Sequence, residues 1–163
     1  STATRVVESH AGVIEAFQGD AVIAVWYGDA ISDTSSKTQG NANHAIQALK
    51  SAIDLHTAMQ GSLPDPAPAG LEPLALGIGV ESGPAMAGSF GLASRRTHMV
   101  MGRTVTIASR LVGMTMDLAH PILVGEGLAA QVGGKGLQSM GTFMLDGLRV
   151  PHHVYAHRMH SRP

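Results

Sequence analysis

The chain has 163 residues, a net charge of −1, 44% hydrophobic and 14% charged residues, and no cysteine. That length suits one domain with a proper core, and that composition excludes a disordered chain. The even charge offers no surface to nucleic acid or anionic lipid, the missing cysteines exclude disulfides and fit a reducing cytoplasmic setting, and no apolar run nears the ~20 residues of a membrane span.

In chain order, residues 13–17 and 21–27 read as two strands joined by a tight turn at Gln18-Gly19-Asp20. Both runs are rich in Val, Ile and aromatic residues, and glycine lets the backbone reverse. Residues 29–40 are polar and rich in Ser and Thr, a loop by composition. The clearest helix covers 41–60. There Ala42, Ala45, Ile46, Leu49, Ala52, Ile53 and Met59 fall near i, i+3, i+4, i+7 spacing, with Asn41 as N-cap and Gly61 as stop. Three prolines make 61–70 a loop. Residues 74–81 and 85–90 read as a strand pair around Ser82-Gly83-Pro84, and 97–101 as another short strand. Helical spacing returns over 104–119 at Val105, Ala108, Leu111, Val112 and Thr115. Residues 121–124, 137–145 and 153–157 read as strands, with a short helix near 127–132. Hairpin neighbours interleave irregularly with helices, which indicates α+β rather than a doubly wound sheet.

Four stretches carry a resemblance: the Gly19-Asp20 hairpin; Gly77-Ile78-Gly79-Val80-Glu81-Ser82-Gly83-Pro84; Gly102 to Leu111; and Leu145-Asp146-Gly147-Leu148 followed by Pro151-His152-His153-Val154-Tyr155. In that order and at those distances they resemble the class III adenylate/guanylate cyclase catalytic domain, over about 7–155. The resemblance implies a ferredoxin-like nucleotidyl cyclase fold with a mostly antiparallel sheet, helices 41–60 and 104–119 on one face, and a two-fold dimer. Residues 1–163 then form one cyclase domain. It is expected to lack the family's first strand, because residues 1–7 are too short for that strand and the helix after it.

The family reaction is attack of a ribose 3′-hydroxyl on the α-phosphorus of ATP or GTP with loss of pyrophosphate. It needs two divalent ions, Mg²⁺ or Mn²⁺, held by carboxylates, and a cation aimed at the charge that builds on phosphorus. By resemblance Asp20 is one metal ligand, and the other belongs to the first strand. An Asp that serves only its turn is the alternative. Arg110 matches the family's transition-state Arg, against the reading of an exposed helix Arg. Thr106 stands where the family has Asn, one helical turn earlier on the same face. Ala16 and Arg103 occupy the places of the Lys and Asp that adenylate cyclases use to read the purine. Arg103 opens a helix, where anions are favoured, or is a solvated turn residue.

Arg95 and Arg96 read as a solvated loop or a phosphate contact. His153 and His157 would share a strand face about 13 Å apart, at ~3.3 Å per residue, too far to chelate one ion. Gly77-x-Gly79 and Gly133-Gly134-Lys135-Gly136 lack P-loop spacing. Family sites form between two domains, so the expectation is a metal-binding half that joins a second cyclase domain as homodimer or heterodimer. The alternative is a catalytically silent cyclase-homology module for dimerisation, nucleotide sensing or regulation.

Overall fold

The computed structural model describes residues 1–18, 21–28, 43–61, 76–90 and 97–158. Asn41, Arg95, Arg96 and the loops expected at 29–40 and 62–70 lie outside the described residues, and so do Gly19 and Asp20.

Helix α1 (Thr2–Ser9) was not expected. Ser1 caps it, its side chain accepting from the Thr4 amide, and Val6 and Val7 are buried. The chain then turns through Ala11 and Gly12 into a hairpin, β1 (Val13–Gln18) and β2 (Ala21–Val25), paired antiparallel from Val13↔Val25 to Gln18↔Ala21 with an irregularity between Ile14 and Ala16. Trp26 locks the hairpin to α1: its Nε1 donates to the His10 carbonyl, and a Cβ on Gly12 would lie 2.5 Å from its ring. Helix α2 (Asn43–Gly61) buries Ala45, Ala48, Leu49 and Ala52, an i, i+3, i+4, i+7 stripe of mostly small residues that lets it approach closely.

Strand β3 (Ile78–Val80) opens a four-stranded sheet of order β3-β6-β8-β7, with β6 at Ile122–Gly125, β7 at Leu137–Phe143 and β8 at His152–His157. β3 and β6 are parallel, while β6–β8 and β8–β7 are antiparallel. Between β3 and β6 run an antiparallel hairpin, β4 (Met86–Phe90) with β5 (Thr97–Met101), and helix α3 (Arg103–Leu118). The short helix α4 (Glu126–Gln131) follows β6 directly.

The α+β class and the mostly antiparallel pairing are as expected. Two details differ. The strand pair expected of 74–81 and 85–90 is not found among the described residues: β3 takes β6 as a parallel neighbour, and β4 takes β5. The two long helices also lie on opposite sides of the sheet. Val80, Ile122 and Val124 pack with the α2 stripe, whereas Leu123, Val154 and Ala156 pack with Ile107 and Leu111 of α3. Glycine decides the second point. A Cβ on Gly79 would sit 2.1 Å from the Ala108 carbonyl, and one on Gly77 would sit 2.3 Å from the Thr115 hydroxyl. The Gly77-x-Gly79 alternation is therefore the bare track on which α3 lies, with Ile78 and Val80 turned to the other face.

Candidate active site

Helix α3 carries three of the five sequence-predicted residues, and its start is fixed by contacts with the preceding turn. Gly102, at φ 133, provides the N-cap without a side-chain bond. Thr104 donates its hydroxyl to the Pro84 carbonyl at 2.7 Å, and Gly83 leaves the room that this contact needs. One face of α3 buries Ile107, Leu111 and Thr115. Arg103, Thr106 and Arg110 follow at i, i+3 and i+7, on a stripe to the side of that buried face. The structure thus brings these three together, with both arginines exposed.

Their bonding differs. Thr106 donates its hydroxyl to the Gly102 carbonyl of its own helix at 3.2 Å, a short-range bond that turns the group inward. Arg110 donates its Nε to the carbonyl of Asp146 at 3.1 Å, in the turn between β7 and β8. That bond uses the single proton of Nε, and the two terminal amino groups still carry the end-on pair of N–H bonds that can take two oxygens of a phosphate. Ala16 lies in β1, half-buried, opposite Ile23, and its methyl can make no hydrogen bond. β1 runs beside β5, the strand that leads into α3. Asp20 falls in the β1–β2 connection, outside the described residues.

Sequence reasoning missed one polar cluster. Glu81, at the end of β3, accepts from the amides of Ser82 and Leu128, each at 2.8 Å, through Oε1, and its Oε2 lies 3.1 Å from His152 Nε2. The Glu126 amide also points at that nitrogen, at 3.4 Å, so His152 Nε2 sits between a carboxylate and a helix amide. The other nitrogen, Nδ1, faces Glu126 Oε1 at 3.6 Å. The His152 and Glu81 side chains are 2% and 3% exposed. Glycine again makes the space: a Cβ on Gly125 would meet Glu81 Oε2 at 2.2 Å. Leu128 is the third residue of α4, so Glu81 caps that helix from a distant strand. With both Glu81 oxygens engaged and Glu81 and His152 buried, this pair ties β3, α4 and β8 together and leaves no room for a substrate. One signal was available: the alternating burial of β8 puts His152 on the core side with Val154 and Ala156.

Among the described residues, no group of three or more His, Cys, Asp or Glu could hold a metal ion. Two hollows stand out, of about 180 and 190 Å³, one beside Trp26 and His44 and one beside Gly77 and His120. Neither touches the Arg103–Arg110 stripe, and both fall below the roughly 300 Å³ at which ligand pockets begin. No helix among the described residues is long and apolar enough to cross a membrane.

Comparison with known proteins bears on the family of the chain and on its fold. The family described as the adenylate and guanylate cyclase catalytic domain matches residues 19–125. Adenylate cyclase 1 of Rhizobium meliloti (strain 1021) is 31% identical over 128 residues, which are 78% of this chain and 18% of that protein. The chain thus spans less than a fifth of that relative's length. Among solved structures, the guanylyl cyclase Cya2 superposes with a TM-score of 0.73 at 21% identity, covering 94% of this chain and 73% of that one. The guanylate cyclase domain of RhGC from Catenaria anguillulae, in complex with GTP, gives 0.70 at 18% identity, covering 96% and 79%. At such identities these two likenesses speak for the fold alone.

Proposed function

We propose, from the premise that this chain belongs to the adenylate and guanylate cyclase catalytic domain family, that it acts in signalling as one side of a two-domain nucleotide cyclase and is impaired on its own. The observation that carries this reading is the composition of the α3 stripe. Two arginines there suit phosphate, but the third residue, Thr106, engages its hydroxyl within its own helix. Ala16 brings only a methyl to the place of a purine contact. One side of the chemistry is present in outline and the base-reading side is missing.

In this reading ATP or GTP lies between this domain and a second cyclase domain, the same chain or another. Such a pair of domains forms two sites: in the one that uses Asp20 the second domain brings the purine and Asn/Arg contacts, and in the other Arg110, and Arg103 at the helix N-terminus, take phosphate oxygens. The ribose 3′-oxygen attacks the α-phosphorus and pyrophosphate leaves. Asp20 would hold Mg²⁺ or Mn²⁺, and the bound cation would neutralise charge on the phosphates. Two of the described carboxylates are held elsewhere: Glu81 accepts from two amides and lies against His152, and Glu15 accepts from Tyr27.

The test is complementation. This chain is mixed with a cyclase domain that retains its purine-reading and Asn/Arg residues but has lost its own metal carboxylates. The mixture should yield cyclic nucleotide that neither chain makes alone, and Asp20→Ala should abolish it. Full turnover by the Asp20→Ala mixture overturns the reading. The inward Thr106 hydroxyl and the Ala16 methyl also support a second reading, a silent cyclase-homology module. Calorimetry with ATP and GTP plus Mn²⁺ separates the two: binding without product in any mixture favours the module.

A further inference from the structure

The Arg110 guanidinium is tethered by a single backbone carbonyl, and the direction of that carbonyl follows from one glycine. The Leu148 amide donates to the Leu145 carbonyl at 3.0 Å, so residues 145–148 form a β-turn with Asp146 and Gly147 at its centre. Gly147 has φ +84, while Asp146 is not among the residues of positive φ. That combination is a type II turn. Types I and II differ by a flip of the central peptide, here the Asp146 carbonyl with the Gly147 amide, and type II requires a positive φ at the third position. An L-residue with a branched side chain at 147 favours type I, which swings the Asp146 carbonyl to the other side of the turn. A Cβ at 147 would meet nothing within 4 Å, so such a substitution acts through the backbone and not through a clash.

The turn is also fastened to the helix it serves. Leu145 is buried in the same cluster as Ile107 and Leu111, with Leu148 packed against it. Leu111 follows Arg110 directly, so carbonyl and guanidinium are held to one small body.

We propose that the Leu145–Leu148 turn positions Arg110: Gly147 sets the peptide flip, the Asp146 carbonyl takes Nε–H, and both terminal amino groups are aimed together. The inference rests on the reading of Arg110 as the residue that meets the phosphates. Nε carries one proton, so a carbonyl there removes rotational freedom without covering the groups that grip two oxygens at once. Lysine could not be held and aimed in this way, because its single nitrogen would have to serve carbonyl and phosphate together.

The experiment compares Gly147→Val, Arg110→Lys and the double variant with the parent chain, each mixed with a cyclase domain that keeps its metal carboxylates but has lost its own Asn/Arg pair, so that Arg110 is the arginine at the working site. Gly133→Val is the control, a glycine of similar φ (+71) in open space in the turn before β7. Gly147→Val should lower kcat about 10-fold with KM little changed, since misplacing an aligned group costs rate more than ground-state binding. Arg110→Lys should lose as much, the double variant no more than either, and Gly133→Val nothing.

A second readout needs no turnover. The Nε–H resonance of Arg110, identified by its loss in Arg110→Lys, should exchange slowly with solvent in the parent and in Gly133→Val, and quickly in Gly147→Val. On titration with inorganic tripolyphosphate it should shift in the parent. A slow Nε–H in Gly147→Val, or no response of the parent to tripolyphosphate, overturns the proposal. If the parent mixture makes no product yet this resonance behaves as stated, the positioning stands and the cyclase reading falls.

Discussion

Tyr27 shows how one contact moves a titration. Its hydroxyl donates to Glu15 Oε1, across the hairpin from β1 to the residue pair after β2. Its pKa is pushed up to about 12 from an ordinary 10.0, first by desolvation, then by that hydrogen bond and by the Glu15 charge, because the phenolate would lose the bond and face a carboxylate. The folded state therefore holds the proton more tightly than the unfolded chain. The resulting stability is fully present below pH 10 and disappears as pH rises through about 12. Phenolate absorbance in a Tyr155→Phe background should show a single transition near 12, and Glu15→Gln should lower it. A transition unmoved by Glu15→Gln would leave desolvation as the whole cause. Glu81 is a harsher case. Glu81→Ala strands the Leu128 and Ser82 amides and leaves the His152 ring without its carboxylate in a dry site, and should cost about 3 kcal/mol or more in urea unfolding. Glu81→Gln keeps an oxygen for the amides and should cost less.

At the scale of elements, α3 rests on glycine. The Gly79 Cα faces helix backbone, so Gly79→Ala forces a methyl against the Ala108 carbonyl and should destabilise by ~1–3 kcal/mol. The midpoint in urea should fall with the m-value unchanged. The other end of the same helix predicts a gain. Ala119 closes α3 in the left-handed conformation at φ 56, a position where glycine avoids the Cβ penalty. Ala119→Gly should stabilise by about 0.5 kcal/mol, the remainder after glycine's larger unfolded-state entropy. These two glycine effects have opposite signs on one helix, and both follow from backbone geometry.

The same elements show what the sequence reveals. α2 and α3 are legible because their apolar residues recur at helical spacing, and β1, β5 and β8 because short β-rich runs are bounded by turn residues. α1 is not, since Ala3, Val6 and Val7 make only one turn of apolar stripe in eight residues, and the helix is held by its Ser1 cap, its packing on α2 and the Trp26 contact beside it. The side taken by α3 was open to reading: Ile122, Leu123 and Val124 are all buried, a continuous run of the kind that is covered on both faces, and a sheet with one bare face would alternate. The β3–β6 pairing was not legible, because a parallel neighbour 44 residues away leaves no local mark. Among site residues, the Arg103–Thr106–Arg110 stripe follows from spacing alone. The grip of Asp146 on Arg110 is a tertiary contact that spacing cannot announce.

For the whole molecule, the question is whether the purine and phosphate contacts were lost as a set. Ala16, Arg103 and Thr106 belong to β1 and the first turn of α3, two elements on either side of β5, and a change in one alone should do little. A lysine at 16 needs an acidic partner at 103, and an amide at 106 helps only once the base is seated. Groups that act as a unit are grossly non-additive. The triple variant Ala16→Lys, Arg103→Asp and Thr106→Asn should therefore produce cyclic nucleotide from ATP at least ~10²-fold faster than the parent chain, the order of a single well-placed donor, while each single change stays near the parent rate. Arg103 is exposed and Ala16 and Thr106 are only half-buried, so the urea midpoint should move little, which separates recovered chemistry from altered folding. A triple variant that unfolds at the parent midpoint, binds ATP with Mn²⁺ and still makes no product would place the deficit on the metal-holding side of the site, with Asp20, and not on α3.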